Sequence, residues 1–218
     1  MWSGPSYDSV MNRLLPTGID VLDRMLSGGI PAGSVVALTA PPASQSELLL
    51  YELTATRGTL YLSTQRSAEA VQDGFDRTSV RVGSPNVQYL GGEAPLDHAT
   101  QFVQALPEGA NIIIDPVDVL ERESEARYQY FLNQLQTHMV NTGSLAFLHS
   151  LKGRNVPALR DTTEYMADVI MDLETSVRGD TIINRLSVPK FRGGGALDQT
   201  IKLELKERVT IDTSRDIA

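Results

Sequence analysis

Few residues of this chain have the types and spacing that could do chemistry. The chain has no Cys, and its three histidines, His98, His138 and His149, are scattered along the sequence. Without thiolates or closely spaced imidazoles, the sequence offers neither a disulfide framework nor the ligand pattern of a zinc site. We therefore predict that no metal is bound.

Polar residues stand at the ends of several apolar runs, and these positions are candidates for a ligand site. The runs end at Thr39, Ser63, Asp115 and His149. Their near-continuous apolar character is typical of parallel strands that are buried on both faces. Ligands of such sheets bind at the carboxyl ends of the strands, so the residues that follow these four positions are singled out.

The elements that must position these residues alternate between strands and helices. The strand-like runs cover residues 34–39, 59–63, 111–115, 144–149 and 168–173. A short amphipathic helix is predicted near 20–26, and the clearest helix covers about 121–140. One face of the longer helix carries Tyr128, Phe131, Leu132, Leu135 and Met139. We predict an α/β fold with a mostly parallel central sheet flanked by helices.

The end of the chain has a different pattern. Residues 181–188, 200–205 and 209–212 alternate with a period of two, which predicts a C-terminal antiparallel β-meander. No repeat, low-complexity tract or long linker divides the 218 residues. We predict a single domain made of an N-terminal lead-in (1–33), an α/β core (34–174) and the meander (175–218).

The charge and composition of the chain indicate which environments and partners it suits. Its net charge of −8 removes the broad attraction that drives nucleic-acid binding. An acidic chain with few lysines is typical of salt-loving microbes such as haloarchaea, where surface charge keeps proteins soluble. No apolar run approaches the about 18 residues of a membrane span, and Met1–Leu15 lacks the pattern of a secretory signal. We expect a cytoplasmic protein with no membrane contact.

Several segments together resemble KaiC-like and RadA-like ATPases of the RecA superfamily. These segments are Thr17–Asp23 with Gly28–Ser34, then Asn111–Asp115, Met166–Ile170 and Lys190–Gly193. They occur in the family's order and cover most of the chain, so the resemblance implies a RecA-like P-loop NTPase fold. It also implies that Asp115 is the remnant of the Walker B carboxylate. Lys190 and Arg192 match residues that reach towards a neighbouring subunit's phosphates, although they could equally form a solvated turn.

The resemblance places the phosphate loop at Ala40-Pro41-Pro42-Ala43-Ser44-Gln45-Ser46-Glu47. A working loop reads Gly-x-x-x-x-Gly-Lys-Ser/Thr, in which backbone N–H groups and the lysine hold phosphate and the hydroxyl holds Mg²⁺. In this chain Ala40 and Gln45 stand in place of the two glycines. Ser46 stands in place of the lysine, and Glu47 stands in place of the Ser or Thr. The lysine's charge-assisted hydrogen bonds, worth roughly 1.5–3 kcal/mol each, are lost, and the Glu47 carboxylate repels a triphosphate. We predict that neither ATP nor Mg²⁺ is a cofactor.

Ser44 and Glu47 also have the spacing of a capping box. We expect Ser44 to cap the following helix and Glu47 to bond back to the Ser44 backbone N–H. On this hypothesis, side chains satisfy the helix start that phosphate satisfies in relatives. The helix is expected to be short, because about two or three turns fit before the strand at Thr59.

The place of the general base is changed as well. KaiC-like relatives carry glutamate after the second strand, where this chain has Gln65 and Arg66. Glutamine can orient water but cannot take its proton, so the resemblance implies no catalytic residue and no ATP hydrolysis. Asp115 either keeps a role near Mg²⁺ or bonds a nearby backbone group or arginine. His149 stands where the family senses the γ-phosphate, and a structural role is its alternative.

Three functional hypotheses follow. The first is a pseudo-ATPase that acts as a regulatory or assembly partner of a RecA/KaiC-family homologue or of itself. The second is an accessory in DNA repair, similar to RadA paralogues, with Lys152, Arg154 and Arg160 in a DNA-contacting loop. Those three cations could instead form local ion pairs, and no aromatic stacker accompanies them. The third is a KaiC-like signalling or transcription-associated module that retains weak ATP binding.

Overall fold

The computed structural model describes residues 13–206 and 208–211. Residues 1–12 of the predicted lead-in, and Glu207 and residues 212–218 of the predicted meander, lie outside the described residues. Within the described ranges, no helix combines the length and the apolar character that a membrane crossing requires.

Strands make up most of the scaffold. In chain order they are β1 (Leu14–Leu15), β2 (Ile30–Pro31), β3 (Val35–Ala40), β4 (Thr59–Ser63), β5 (Asn86–Tyr89), β6 (Asn111–Asp115), β7 (Leu145–Leu151), β8 (Val169–Arg178), β9 (Thr181–Phe191), β10 (Ile201–Leu205) and β11 (Val209–Ile211). β1 and β2 pair with each other. The other strands form one sheet.

Helices connect the strands. They are α1 (Asp20–Met25), α2 (Glu47–Leu53), α3 (Ala68–Arg77), α4 (Pro95–Gln104), α5 (Glu125–Thr142) and α6 (Arg160–Met166), with a 3₁₀ helix at Val117–Arg122. α2 has seven residues, which make about two turns. This length agrees with the predicted short helix of about two or three turns.

The large sheet has the strand order β11-β10-β9-β8-β3-β7-β6-β4-β5. Neighbours from β8 to β5 run parallel, whereas β8 to β11 run antiparallel. β3 lies at the centre, where Leu38 is opposite His149 of β7 and Met171 of β8. The predicted mostly parallel α/β sheet with a C-terminal antiparallel meander is confirmed.

Each face of the sheet carries its own hydrophobic core. Phe147 packs in the core that includes α1, α2 and α3, and its chain neighbour Leu148 packs in the core that includes α4 and α5. Successive strand side chains point to opposite faces, which is why the central strands are apolar throughout. The five residues predicted to share one face of the long helix are all buried in the second core.

The long helix begins later than predicted. The sequence indicated a start near Glu121, but residues 117–122 form the 3₁₀ helix and α5 begins at Glu125. The Glu121 carboxylate accepts hydrogen bonds from Arg160 and Thr163. These contacts come from residues about 40 positions away, so helical periodicity could not reveal them.

The first segment of the family resemblance has a structural role. Asp23 Oδ1 accepts hydrogen bonds from the backbone and hydroxyl of Thr17, both at 2.7 Å, and Asp23 Oδ2 accepts one from Gly18 N. Gly29 has a φ of +134°, and a Cβ there would lie 2.1 Å from the carbonyl oxygen of Leu15. Only glycine fits this approach, so the motif anchors the lead-in to the domain.

Candidate functional site

The candidate site lies at the carboxyl ends of β3, β4, β6 and β7, as the sequence predicted. Asp115 ends β6, His149 lies near the end of β7, and Arg66 follows β4. Ser46 precedes α2 in the loop after β3. Hydrogen bonds join these four side chains into one connected group.

Asp115 is the centre of this group. His149 Nδ1 lies 2.7 Å from Asp115 Oδ1. The Tyr61 hydroxyl at 2.5 Å and Arg66 Nη2 at 2.8 Å both donate to Oδ2. Burial would raise the pKa of Asp115, but the hydrogen bonds from His149 and Tyr61 and the charge of Arg66 lower it to about 2. The carboxylate is therefore ionised at neutral pH, with both oxygens engaged.

Arg66 approaches Asp115 from the solvent side. Its backbone N–H donates to Ser63 Oγ, and Nη1 lies 3.4 Å from the Tyr51 hydroxyl. The side chain is 40% exposed. Burial opposes the charge, but Asp115 outweighs this effect and raises the pKa of Arg66. Gln65, the other residue at the predicted general-base position, is exposed.

His149 and Ser46 continue the hydrogen-bonded group from the other carboxylate oxygen of Asp115. His149 Nε2 lies 3.0 Å from Ser46 Oγ, so the imidazole bridges Ser46 and Asp115. Both residues are buried. His149 thus connects the loop after β3 to the end of β6.

The predicted capping box is wrong. Ser44 Oγ donates to the carbonyl oxygen of Pro41 at 2.7 Å. α2 begins at Glu47, and its N-cap is Ser46, whose side chain makes no capping hydrogen bond. Because the helix starts two residues later than the box requires, Ser44 and Glu47 cannot bond reciprocally. The Ser46 hydroxyl instead faces His149.

The structure separates the three cations predicted in a DNA-contacting loop. Lys152 Nζ lies 2.6 Å from Asp172 Oδ1, which also accepts from Thr39. Arg154 is exposed. Arg160 is buried, with Nη2 at 3.0 Å from Asp118 and 2.9 Å from Glu121. Arg160 therefore cannot belong to an exposed DNA-binding surface, and this part of the prediction is corrected.

Lys190 and Arg192 contact their own chain. Lys190 Nζ donates to the carbonyl oxygens of Glu164 and Tyr165 at the end of α6. Arg192 Nη1 lies 3.0 Å from Asp168 Oδ1. Burial lowers the pKa of Lys190. These contacts tie two segments of the family resemblance to each other, and a role at a subunit interface stays a prediction.

The aromatic side of the site was not predicted. Tyr61 lies in β4, whose apolar pattern concealed its hydroxyl, and Tyr51 lies in α2. Both rings pack edge-on against Phe75, at centroid distances of 5.5 and 4.5 Å. A tyrosine inside an apolar run, two register positions from a strand-end acid on the neighbouring strand, was the available signal.

No cluster of three or more potential ligands (His, Cys, Asp or Glu) with metal-binding geometry occurs in residues 13–206 and 208–211. The polar groups of the candidate site are arranged instead as donors and acceptors for each other. Chemically, the site holds a buried carboxylate, an imidazole, two phenols, a hydroxyl and one half-exposed cation.

The fold has a solved counterpart. A KaiC-like protein from the hyperthermophilic archaeon Pyrococcus horikoshii OT3 superposes with a TM-score of 0.68, over 91% of this chain and 99% of that one, at 12% identity. This likeness shows the fold alone, which is the RecA-like ATPase fold.

At the level of sequence, a family model matches residues 14–218, and the chain belongs to that family, described as a family of unknown function, DUF7125. The chain is also similar to DNA repair protein RadA of Mycolicibacterium smegmatis, with 30% identity over 120 residues. RadA of Mycobacterium tuberculosis has the same identity over the same length. The similarity covers 53% of this chain and 25% of each RadA protein, so the chain matches about a quarter of the length of these relatives.

Proposed function

We propose that this chain is a RecA-fold protein that does not hydrolyse ATP and that acts in the cytoplasm as a regulatory or assembly partner. The observation that carries the proposal is the engagement of Asp115. Both of its oxygens accept hydrogen bonds from side chains of the same chain. In the family that the chain resembles, this carboxylate belongs to the Mg²⁺ shell.

These residues do not fit the part of a nucleotide site that binds Mg²⁺. Mg²⁺ requires oxygen ligands in near-octahedral geometry. Here the Arg66 guanidinium already neutralises Asp115 at 2.8 Å, and a metal ion near Oδ2 would meet that positive charge. The place of the metal-binding hydroxyl holds Glu47. Binding Mg²⁺ would therefore require the ion pair to break first.

The loop after β3 does not fit the part of a nucleotide site that binds phosphate either. Ser46 stands in the place of the phosphate-binding lysine, and its hydroxyl is hydrogen-bonded to His149. The loop thus lacks its cation, and the Glu47 carboxylate adds repulsion towards phosphate oxygens. Together, these contacts support a site that is satisfied internally and has no need of a nucleotide.

Isothermal titration calorimetry with Mg-ATP tests the absence of nucleotide binding. We expect no saturable binding in the micromolar range. The titration is done at low salt and also at high salt, because an acidic surface is suited to high salt. A variant with Ser46→Lys, Glu47→Thr and Arg66→Ala is the matched control, because it restores the loop's cation and hydroxyl and frees Asp115. Micromolar binding by the natural chain would contradict the proposal.

An exposed apolar pair supports the assembly role. Val177 and Ile182 are opposite each other near the tip of the β8–β9 hairpin, and they are 72% and 65% exposed. Exposed apolar side chains that lie side by side often mark protein contacts. Multi-angle light scattering of the purified chain, alone and mixed with a RecA-fold homologue from the same cell, tests whether the chain assembles.

A role as an accessory in DNA repair is the second candidate, and the similarity to RadA favours it. Of the three cations suggested for DNA contact, Arg154 alone is exposed and outside the described ion pairs. A gel shift with single-stranded DNA over a salt series tests this candidate, since phosphate contacts weaken as salt rises. We would abandon it if no salt-dependent shift occurs or if Arg154→Glu leaves the shift unchanged.

A further inference from the structure

Ser46, His149 and Asp115 form a continuous hydrogen-bonded line. Ser46 Oγ lies 3.0 Å from His149 Nε2, and His149 Nδ1 lies 2.7 Å from Asp115 Oδ1. The three residues are 2%, 5% and 5% exposed. A hydroxyl, an imidazole and a carboxylate in this order and at these distances are the parts of an activated serine nucleophile.

The protonation states follow from the contacts of Asp115. An ionised carboxylate only accepts hydrogen bonds, so the His149 nitrogen that faces it, Nδ1, carries a proton. In a neutral imidazole the lone pair is then on Nε2, the nitrogen that faces Ser46. In that form of His149 the Ser46 hydroxyl donates the hydrogen bond, as a nucleophile donates to its general base.

The three residues also occupy suitable places in the sheet. Ser46 lies between β3 and α2, His149 is in β7, and Asp115 ends β6. β3, β7 and β6 are consecutive parallel neighbours, so all three residues meet at one edge. A serine between a central strand and a helix, followed along the chain by the acid and then the histidine, is also the arrangement of α/β-hydrolases.

Partly exposed residues flank the buried line. Arg66, which donates to the second oxygen of Asp115, has a side chain that is 40% exposed. Glu47, next to Ser46, is partly exposed. Ser46 itself is 2% exposed, so labelling of Ser46 also reports whether a small reagent reaches it.

We propose that Ser46 is a nucleophilic serine that His149 activates and Asp115 positions, and that it accepts acyl groups from small activated esters. Ser46 Oγ bonds to the carbonyl carbon while His149 Nε2 takes the hydroxyl proton. The ester C–O bond then breaks, and the alcohol leaves with that proton. Water, deprotonated by His149, cleaves the acyl-serine to release a carboxylic acid and restore Ser46.

This inference goes beyond the pseudo-ATPase proposal and does not depend on it. The titration of Mg-ATP reports on the phosphate loop, whereas a serine-directed reagent reports on Ser46. Either result can fail while the other holds.

A fluorophosphonate tests the nucleophile directly, because it phosphonylates activated serines and releases fluoride. We expect mass spectrometry of the labelled natural chain to place the adduct on Ser46. Heat-unfolded chain should lack it, since free serine hydroxyls are not activated. Ser44→Ala is the matched control in the same loop and should label like the natural chain, whereas Ser46→Ala should remove the adduct.

Variants of the partners test the activation. His149→Asn should slow labelling about 100-fold or more, the typical contribution of a positioned base. Asp115→Asn should also slow it, and Asp115→Glu should recover part of the rate, which a purely structural role would not predict. Circular dichroism checks that each variant is folded.

Two results would overturn the proposal. One is the absence of an adduct on Ser46 in the folded natural chain, a result that needs no variant to fold. The other is labelling of Ser46 at the same rate in folded His149→Asn. With p-nitrophenyl acetate, the natural chain should likewise release p-nitrophenol faster than Ser46→Ala does, and equal rates would contradict ester turnover.

Discussion

Arg66 Nη2 and Asp115 Oδ2 lie 2.8 Å apart, so a residue of the loop after β4 is ion-paired to the residue that ends β6. The pair is asymmetric: the Arg66 side chain is 40% exposed, whereas Asp115 is buried. The ion pair thus joins a partly exposed cation to the buried line that runs from Asp115 through His149 to Ser46.

Removing Arg66 should destabilise the domain. We expect Arg66→Ala to lower the free energy of unfolding by at most about 1.5–3 kcal/mol, the range for a hydrogen bond to a charged group. Water can replace part of the interaction, because Arg66 is half exposed. Urea unfolding measures the change, with Arg154→Ala as an exposed control that should change little. Equal stabilities of the two variants would mean that Arg66 does not compensate Asp115.

Acid should unfold the domain partly through Asp115. The pKa of its carboxyl falls from an ordinary value of 3.8 to about 2 in the folded chain. A group whose pKa is lower in the folded state adds stability above the unfolded value, and this stability is lost as the pH falls from about 4 through about 2. We expect it to amount to about 2 kcal/mol.

Urea unfolding between pH 5 and pH 2.5 measures this dependence. Asp115→Asn should be less stable at pH 5 and should lose less stability towards pH 2.5. Asp97→Asn is the control, since Asp97 forms an exposed ion pair with Arg127. Parallel pH curves for the natural chain and Asp115→Asn would refute the assignment to Asp115.

Arg160 should contribute to the stability of the domain and not to nucleic-acid binding. Its guanidinium lies between Asp118 and Glu121, both of which are buried. Arg160→Ala leaves these carboxylates without their cation, and breaking such a buried pair typically costs about 3–5 kcal/mol. Chemical unfolding of Arg160→Ala beside Arg154→Ala should show a large loss in the first variant only. A loss below about 1 kcal/mol would indicate that the ion pair is solvated.

The hairpin tip should mediate any self-association. If light scattering detects oligomers, changing both Val177 and Ile182 to Asp should shift the mass towards the monomer, because the charges would have to be desolvated in an interface. The thermal unfolding of the monomer should change little, since both side chains are exposed. Val156→Asp is the matched control, at 45% exposure in a different loop. Oligomers that persist in the double variant would place the contact elsewhere.

Local patterns predicted much of the site. The apolar runs predict the strands, and the rule that ligands bind at the carboxyl ends of parallel strands singles out Asp115 and His149. The replacement of the phosphate loop and of the general base depends on residue identities and on the family resemblance, and it stays a prediction. The alternative that Asp115 bonds an arginine is the arrangement found, with Arg66 as that arginine.

Other features depended on contacts between distant residues. Ser44 and Glu47 have the spacing of a capping box, yet the helix starts at Glu47. Lys152, Arg154 and Arg160 looked like one basic segment, yet Arg160 turns inward to acids near residue 120. Neither outcome follows from spacing, because the partners belong to elements that only the fold brings close.

The sequence by itself determined the order of the strands and helices, since this order depends on residue type and short-range periodicity. The tertiary structure alone decided that Ser46 meets His149, 103 positions away along the chain, and that Arg66 and Tyr61 meet Asp115. The physical reason is that parallel strands place the ends of distant segments side by side. Buried polar groups at that edge must then bond to one another, because water is excluded.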